Sequence, residues 1–146
     1  DTVRIYPTIV LQDTDLAALY IDGVYKPQTL SEAIKICSKL YLMLSKEGIN
    51  VIRLGLHSIE DGAYIAGPWH PAFSELCQSQ IMLTRVLTHL FDKGEYIIYV
   101  GKSDFSKMWG QRKSNIMYLK SRGFDCKVKV DESLSDLKFR IERKVL

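Results

Sequence analysis

Cysteine is scarce and scattered in this sequence. Cys37, Cys77 and Cys126 are the only three, and no two stand at a short spacing. Distant thiols in odd number make neither a disulfide framework nor a zinc ligand set. Histidine is equally thin: His57, His70 and His89 show no ligand spacing with one another or with a cysteine. No apolar run approaches the roughly 18 residues that cross a bilayer, and no basic leader opens the chain. There is no glycine-rich phosphate loop, no nucleophile-elbow serine, no internal repeat and no low-complexity segment. What remains is a globular chain without a membrane partner, expected in a reducing cytoplasm. The chain begins at Asp1 with no methionine and is read as a piece of a longer polypeptide.

What is present is enough for a core. The 146 residues are 47% hydrophobic and 25% charged, which suits one domain or one and a half. The net charge of +3 is unevenly spread. Residues 1–94 carry 8 Lys and Arg against 10 Asp and Glu, whereas residues 95–146 carry 12 against 7. The tail, not the front, is therefore the part suited to an anionic partner; a solvated lysine-rich surface is the other reading.

Residues 3–11 are rich in β-branched and aromatic side chains and read as a strand, made irregular by Pro7. A short helix over 13–21 stops at Gly23. The clearest element is a helix over 30–47. Thr29 and Glu32 form a capping-box pattern, Gly48 is a left-handed stop, and Leu30, Ala33, Ile34, Cys37, Leu40, Tyr41 and Leu44 define the buried face. A strand over 51–56, apolar on both sides except at Arg53, follows at once. Strand, helix, strand implies a crossover and parallel pairing. After a loop at 66–71 comes a helix over 72–91, its buried stripe including Phe73 and Cys77. The two helical cysteines are read as small buried hydrophobes. The tail restarts with a strand at 95–100, helical pieces at 103–109 and 114–121, a strand at 124–130, and alternation through Leu137, Phe139 and Ile141. The reading is an α/β chain: parallel strands over 1–94, then a small basic α+β module over 95–146.

Functional groups of parallel α/β folds gather at the carboxyl ends of strands. Arg53, Gly55 and His57 lie at alternate positions there and would line a cavity, with Gly55 leaving room for a flat ligand. An arginine paired with a buried acid beside a surface histidine is the alternative. In the stiff loop Gly67-Pro68-Trp69-His70-Pro71, Trp69 and His70 stand ready for a ligand, or else Trp69 plugs a core edge and His70 caps the next helix.

These segments carry a family likeness. Arg4-Ile5-Tyr6-Pro7-Thr8-Ile9-Val10, Thr14-Asp15-Leu16, Gly23-Val24-Tyr25-Lys26-Pro27, Val51-Ile52-Arg53-Leu54-Gly55-Leu56 and Ala66-Gly67-Pro68-Trp69-His70-Pro71-Ala72-Phe73 resemble, in order and spacing, the region after the catalytic core of Elongator-type radical SAM proteins. More distantly the chain is similar to the oxygen-independent coproporphyrinogen oxidases, which share the Arg-x-Gly-Leu strand. The resemblance implies the closing part of a (β/α) barrel whose parent binds a 4Fe–4S cluster and S-adenosylmethionine and makes a 5′-deoxyadenosyl radical. The family's CxxxCxxC cluster motif is absent. The fragment is therefore expected to hold no cofactor and to be inactive alone, its partner being the radical SAM core of the same chain. On that view Arg53, Gly55 and His57 belong to the cofactor cavity, and Trp69 and His70 lie by the substrate channel.

The stretch from Ser106 to Ile116 resembles the glycine loop of KH domains, which clamps an RNA backbone between two helices, but Lys113 stands where a second glycine belongs. Lys107, Arg112, Lys113, Lys120 and Arg122 are the candidate phosphate contacts, and transfer RNA the candidate partner. Two rival readings remain: a nucleic-acid module without catalysis, and a structural domain that closes a barrel and dimerises.

Overall fold

The computed structural model describes residues 1–145. It divides into two compact units, the first ending at Cys77 and the second beginning at Gln78. That boundary lies inside a helix, whereas the sequence pattern changes at Gly94.

The first unit contains β1 (Thr2–Ile5), β2 (Val10–Leu11), α1 (Asp15–Ile21), α2 (Leu30–Lys46), β3 (Asn50–Leu54) and β4 (Tyr64–Ala66). β1 and β3 pair in parallel, joined through α2, as the strand–helix–strand pattern requires. The register shifts once: Val3 faces Val51 but Arg4 faces Arg53, so Ile52 is the extra residue. The strand expected over 3–11 is two strands. Proline has no N–H to give a ladder, and around Pro7 the chain leaves β1 and re-enters as β2, which pairs antiparallel with β4. β4 has only three residues and gives no periodic signal.

α2 is fixed at both ends. Thr29 Oγ1 accepts from the Glu32 amide (3.1 Å), and Glu32 Oε2 accepts from the Thr29 amide (3.4 Å). At the other end Gly48 takes φ 72°, its N–H donates to Ser45 O (3.1 Å), and Ile49 N–H donates to Leu44 O (2.9 Å). Those two bonds complete the Schellman stop and satisfy carbonyls that the helix leaves open. The buried line is narrower than the apolar pattern. Ala33, Cys37 and Ser38 are buried, but Leu40 is exposed, together with Ile36 and Met43. The reason is width: the helix is apolar over more of its circumference than a two-stranded sheet covers.

α3 (Phe73–Leu87) crosses from the first unit to the second and ends four residues before the expected limit at Phe91, which is exposed. The second unit continues with β5 (Gly94–Val100), a 3₁₀ turn (Lys102–Asp104), α4 (Phe105–Trp109), a 3₁₀ turn (Gln111–Lys113), α5 (Ser114–Ser121), β6 (Phe124–Val130) and β7 (Phe139–Arg143). Its sheet runs β6-β5-β7, with β6 parallel and β7 antiparallel to β5. One sheet face presents the buried Tyr96, Ile98, Val100, Phe124 and Cys126, and the other carries charged residues such as Lys127, Lys129 and Arg140. Asp104, 2% exposed, accepts from the Leu137 amide (2.9 Å) and pairs with Lys107 (3.3 Å). Asn115, also buried, donates to Ser79 O (3.0 Å) and Lys107 O (3.2 Å). These two polar side chains, each satisfied, tie the β6–β7 connection, α4 and α5 together.

Two glycines separate backbone freedom from space. A Cβ at Gly48 meets nothing within 4 Å; at Gly55 (φ 84°) it would meet Phe73 Cδ1 at 2.8 Å. Gly48→Ala is expected to lower unfolding stability by about 1 kcal/mol, the cost of the left-handed backbone alone. Gly55→Ala is expected to cost roughly 1–3 kcal/mol more through overpacking. Equal costs in urea titrations would contradict this difference.

Burial pushes the Cys77 thiol up to about 12, reinforced by Cys37 nearby, and burial followed by Asp125 pushes Cys126 up to about 11. Each raised value favours the neutral thiol in the folded chain. The stabilisation is complete below the ordinary value of 9.0 and is lost as pH rises from there towards about 12, because the unfolded chain ionises first. The urea midpoint should therefore fall above pH 9, and alkylation at pH 8 should be slow until the chain is unfolded. Equal alkylation rates in native and unfolded chain would contradict it.

Candidate functional site

The carboxyl ends of β1 and β3 are neighbours because the two strands are parallel. Tyr6 follows β1, Leu56 and His57 follow β3, and the loop through Ser58, Ile59, Glu60 and Ala63 folds across them. Together with Leu11 these residues line a cleft of about 400 Å³. The loop is fastened by Ala63 N–H to Glu60 O (3.1 Å) and by Gln12 N–H to Ala63 O (2.8 Å). The cleft is an apolar pocket edged by a phenol, a hydroxyl, an imidazole and a carboxylate.

Arg53 and His57 come together as the alternation suggested. An arginine Nη donates to His57 Nδ1, and Arg53 Nε donates to Gly55 O (3.2 Å). Because Nδ1 accepts, the ring hydrogen of His57 stands on Nε2. Arg53 is half-buried and His57 is exposed at the cleft wall, so the arginine orients the imidazole. Its register partner is another arginine, Arg4, which leaves a cationic strand end. Gly55 has a packing role here: the place of its absent side chain is filled by the Phe73 ring.

Trp69 and His70 do not line this cleft. Pro68 beside them is fully buried, and a Cβ on Gly67 would meet Ile9 Cα and Thr8 O at 3.2 Å, so the loop is seated on the β1–β2 connection. His70 Nδ1 accepts from the Ala72 amide (3.0 Å) in the turn that starts α3. Trp69 is 38% exposed and tilts against Tyr64, ring centroids 6.5 Å apart.

The basic candidates of the second unit fall into three groups. Lys107 is half-buried and ion-paired with Asp104. Arg112 and Lys113 are exposed in the turn before α5, with Lys113 Nζ 5.1 Å from the Trp109 ring centre. Lys120 and Arg122 are exposed at the far end of α5, where Arg122 donates to the Tyr118 hydroxyl (3.0 Å). Gly110 (φ 76°), Arg112 (φ 53°) and Lys113 (φ 62°) all have left-handed backbones. Lys113 thus adopts the conformation that glycine takes without strain.

Tyr6, Ser58, Glu60 and Asp104 were not singled out by the sequence pattern. Tyr6 stands at a strand end and was in principle findable. Ser58 and Glu60 lie in a loop without periodicity and carry no such signal.

Among the described residues no three His, Cys, Asp or Glu side chains come together as a metal site, and the three thiols are buried and free. The chain's own donors therefore do not fit an iron–sulfur cluster. No described helix is long and apolar enough to cross a membrane.

The Arg53–His57 contact has a direct spectroscopic consequence. In ¹⁵N spectra of the imidazoles, His57 should show an unprotonated Nδ1 and a protonated Nε2, and Arg53→Ala should shift the ring to a mixture of tautomers. A His57 signal unchanged by Arg53→Ala would contradict the contact.

Neither the curated proteins nor the solved structures contain a match to this chain. A family model does match: the radical SAM C-terminal domain, over residues 1–82. Those residues are more than half of the 146 and include β1–β3, α2 and the cleft just described. The chain belongs to the radical SAM C-terminal domain family.

Proposed function

We propose that this chain is the carboxy-terminal part of an Elongator-like radical SAM enzyme that modifies transfer RNA, and that its basic second unit holds the RNA backbone. The family implies a 4Fe–4S cluster and S-adenosylmethionine in the parent protein. With no cluster-holding donors among its described residues, this piece contributes strand ends and binding surface, and the radical SAM core supplies the cofactors. The observation that carries the reading is the turn from Gly110 to Lys113. It joins two helices, its backbone is left-handed at three of four positions, and it presents Arg112 and Lys113 to solvent. Lys120 and Arg122 extend the basic surface about 12 Å along α5, the length of an eight-residue helix.

The partnership with a core has its own support. A parallel sheet is ordinarily covered on both faces. Here β1 and β3 stand as a pair, and Ile36, Leu40 and Met43 on α2, with Ile52 on β3, leave apolar surface uncovered. Further strands and helices of a barrel would bury it.

Transfer RNA is expected to bind this chain with an affinity that falls steeply with salt. The double substitution Arg112→Ala/Lys113→Ala should weaken binding and reduce the slope of log K against log salt by about 2, one per lost phosphate contact. Binding that ignores salt, or a slope unchanged in the variant, would reject the proposal.

A further inference from the structure

A second concavity lies in the second unit, away from the α4–α5 turn in sequence. It has a volume of about 720 Å³ and is lined by residues of three kinds. Phe139, Ile141 and Arg143 come from β7; Arg85 and His89 come from the end of α3 and the turn after it; Tyr96, Leu134, Leu137 and Lys138 complete the wall. The floor is aromatic and aliphatic. Lys138 and Arg143 bring basic side chains to its wall, and no carboxylate is among its lining residues.

Several of these groups are held in place. Arg143 pairs with Asp92 (3.4 Å) outside the groove and donates to Lys93 O (3.2 Å). His89 Nδ1 lies 3.0 Å from Arg85 O. A carbonyl only accepts, so Nδ1 carries hydrogen and Nε2 is the ring atom left over. The imidazole stands edge-on to Phe139, with ring centroids 5.2 Å apart.

The sheet edge supplies an independent observation. Among the described residues β7 pairs with β5 alone. Lys144 N–H donates to Glu95 O (3.0 Å), which sets the phase of the ladder. In an antiparallel pair the backbone groups alternate, so Arg140 and Glu142 turn towards β5. Phe139, Ile141 and Arg143 then turn their N–H and C=O groups to the open edge. These are the same three residues whose side chains line the groove. An incoming strand would thus find backbone partners and side-chain pockets in one register.

We propose that β7 and its groove bind an extended acidic peptide by strand addition. Main-chain bonds to Phe139, Ile141 and Arg143 set its register, and its groove-facing alternate side chains are of two kinds, apolar ones against Phe139 and Ile141 and carboxylates against Lys138 and Arg143. This site is separate from the RNA surface of the preceding proposal and stands without it.

The test uses the whole chain and a synthetic nine-residue peptide whose groove-facing alternate residues are Glu and Val by turns, with Thr between them, beside a control in which each Glu is Lys. Amide exchange followed by NMR should show new protection at Phe139, Ile141 and Arg143 with the acidic peptide, while Lys144 is protected before it is added. Ile141→Pro removes an outward N–H and spares the β5 ladder. It should weaken peptide binding at least tenfold while the spectrum of the rest of the unit is retained. Lys138→Glu should weaken binding without touching the backbone. Equal protection by the lysine control, absence of protection at those three amides, or protection by single-stranded RNA and not by the peptide would each overturn the proposal.

Discussion

The parallel ladder between β1 and β3 is the constraint from which the first unit follows. Parallel strands bring their carboxyl ends to the same edge, so Tyr6 and His57, 51 positions apart in sequence, face one cleft. The crossover through α2 makes that arrangement possible. The capping box at Thr29 and the left-handed stop at Gly48 set where the helix begins and ends, and so where β3 can start. Gly55 then lets Phe73 close over the strand end. A chain of local choices, each worth about a kcal/mol, thereby places the Arg53–His57 pair at the edge where parallel folds gather their chemistry.

The second unit obeys a different economy. Its sheet is mixed, and its connections are held by two buried polar side chains, Asp104 and Asn115, each bonded to two partners. Gly101 shows how tight that arrangement is, since a Cβ there would lie 2.3 Å from Leu134 O. Anchoring the β6–β7 connection in this way fixes Leu137 against the sheet despite its left-handed backbone. Asp104 draws in Lys107, while Arg112, Lys113, Lys120 and Arg122 stay at the surface.

Much of this was legible in the sequence, and the reasons differ by element. α2 and β6 have a clear period, β3 is a short apolar run between Gly48 and Gly55, and α5 stops before Gly123; the structure places all four within a residue or two of the expected limits. β4 was invisible because its three residues are defined by their partner, β2, and not by any pattern of their own. The break at Pro7 was signalled as an irregularity, but proline alone does not tell whether a strand bends or ends. Leu40 was expected inside because helical spacing reports which residues share a face, not how wide the neighbouring layer is. That Arg53 and His57 share one side of the strand end followed from strand alternation. The role of Gly55 did not, because the ring that fills its space comes from Phe73, 18 positions later. Family membership was legible in five short blocks whose order matters more than any single residue.

β1 and β3 are adjacent parallel strands, and one amide reports on that pairing more directly than any other. Gly55 N–H donates to Ile5 O at 2.9 Å, the last rung before the cleft. Hydrogen exchange at the Gly55 amide, read by NMR in the intact chain, is predicted to be slowed to the level of the interior of α2. Exchange at the rate of an unstructured glycine would show that the strand ends do not meet, and the cleft, the oriented imidazole and the barrel reading would go with it.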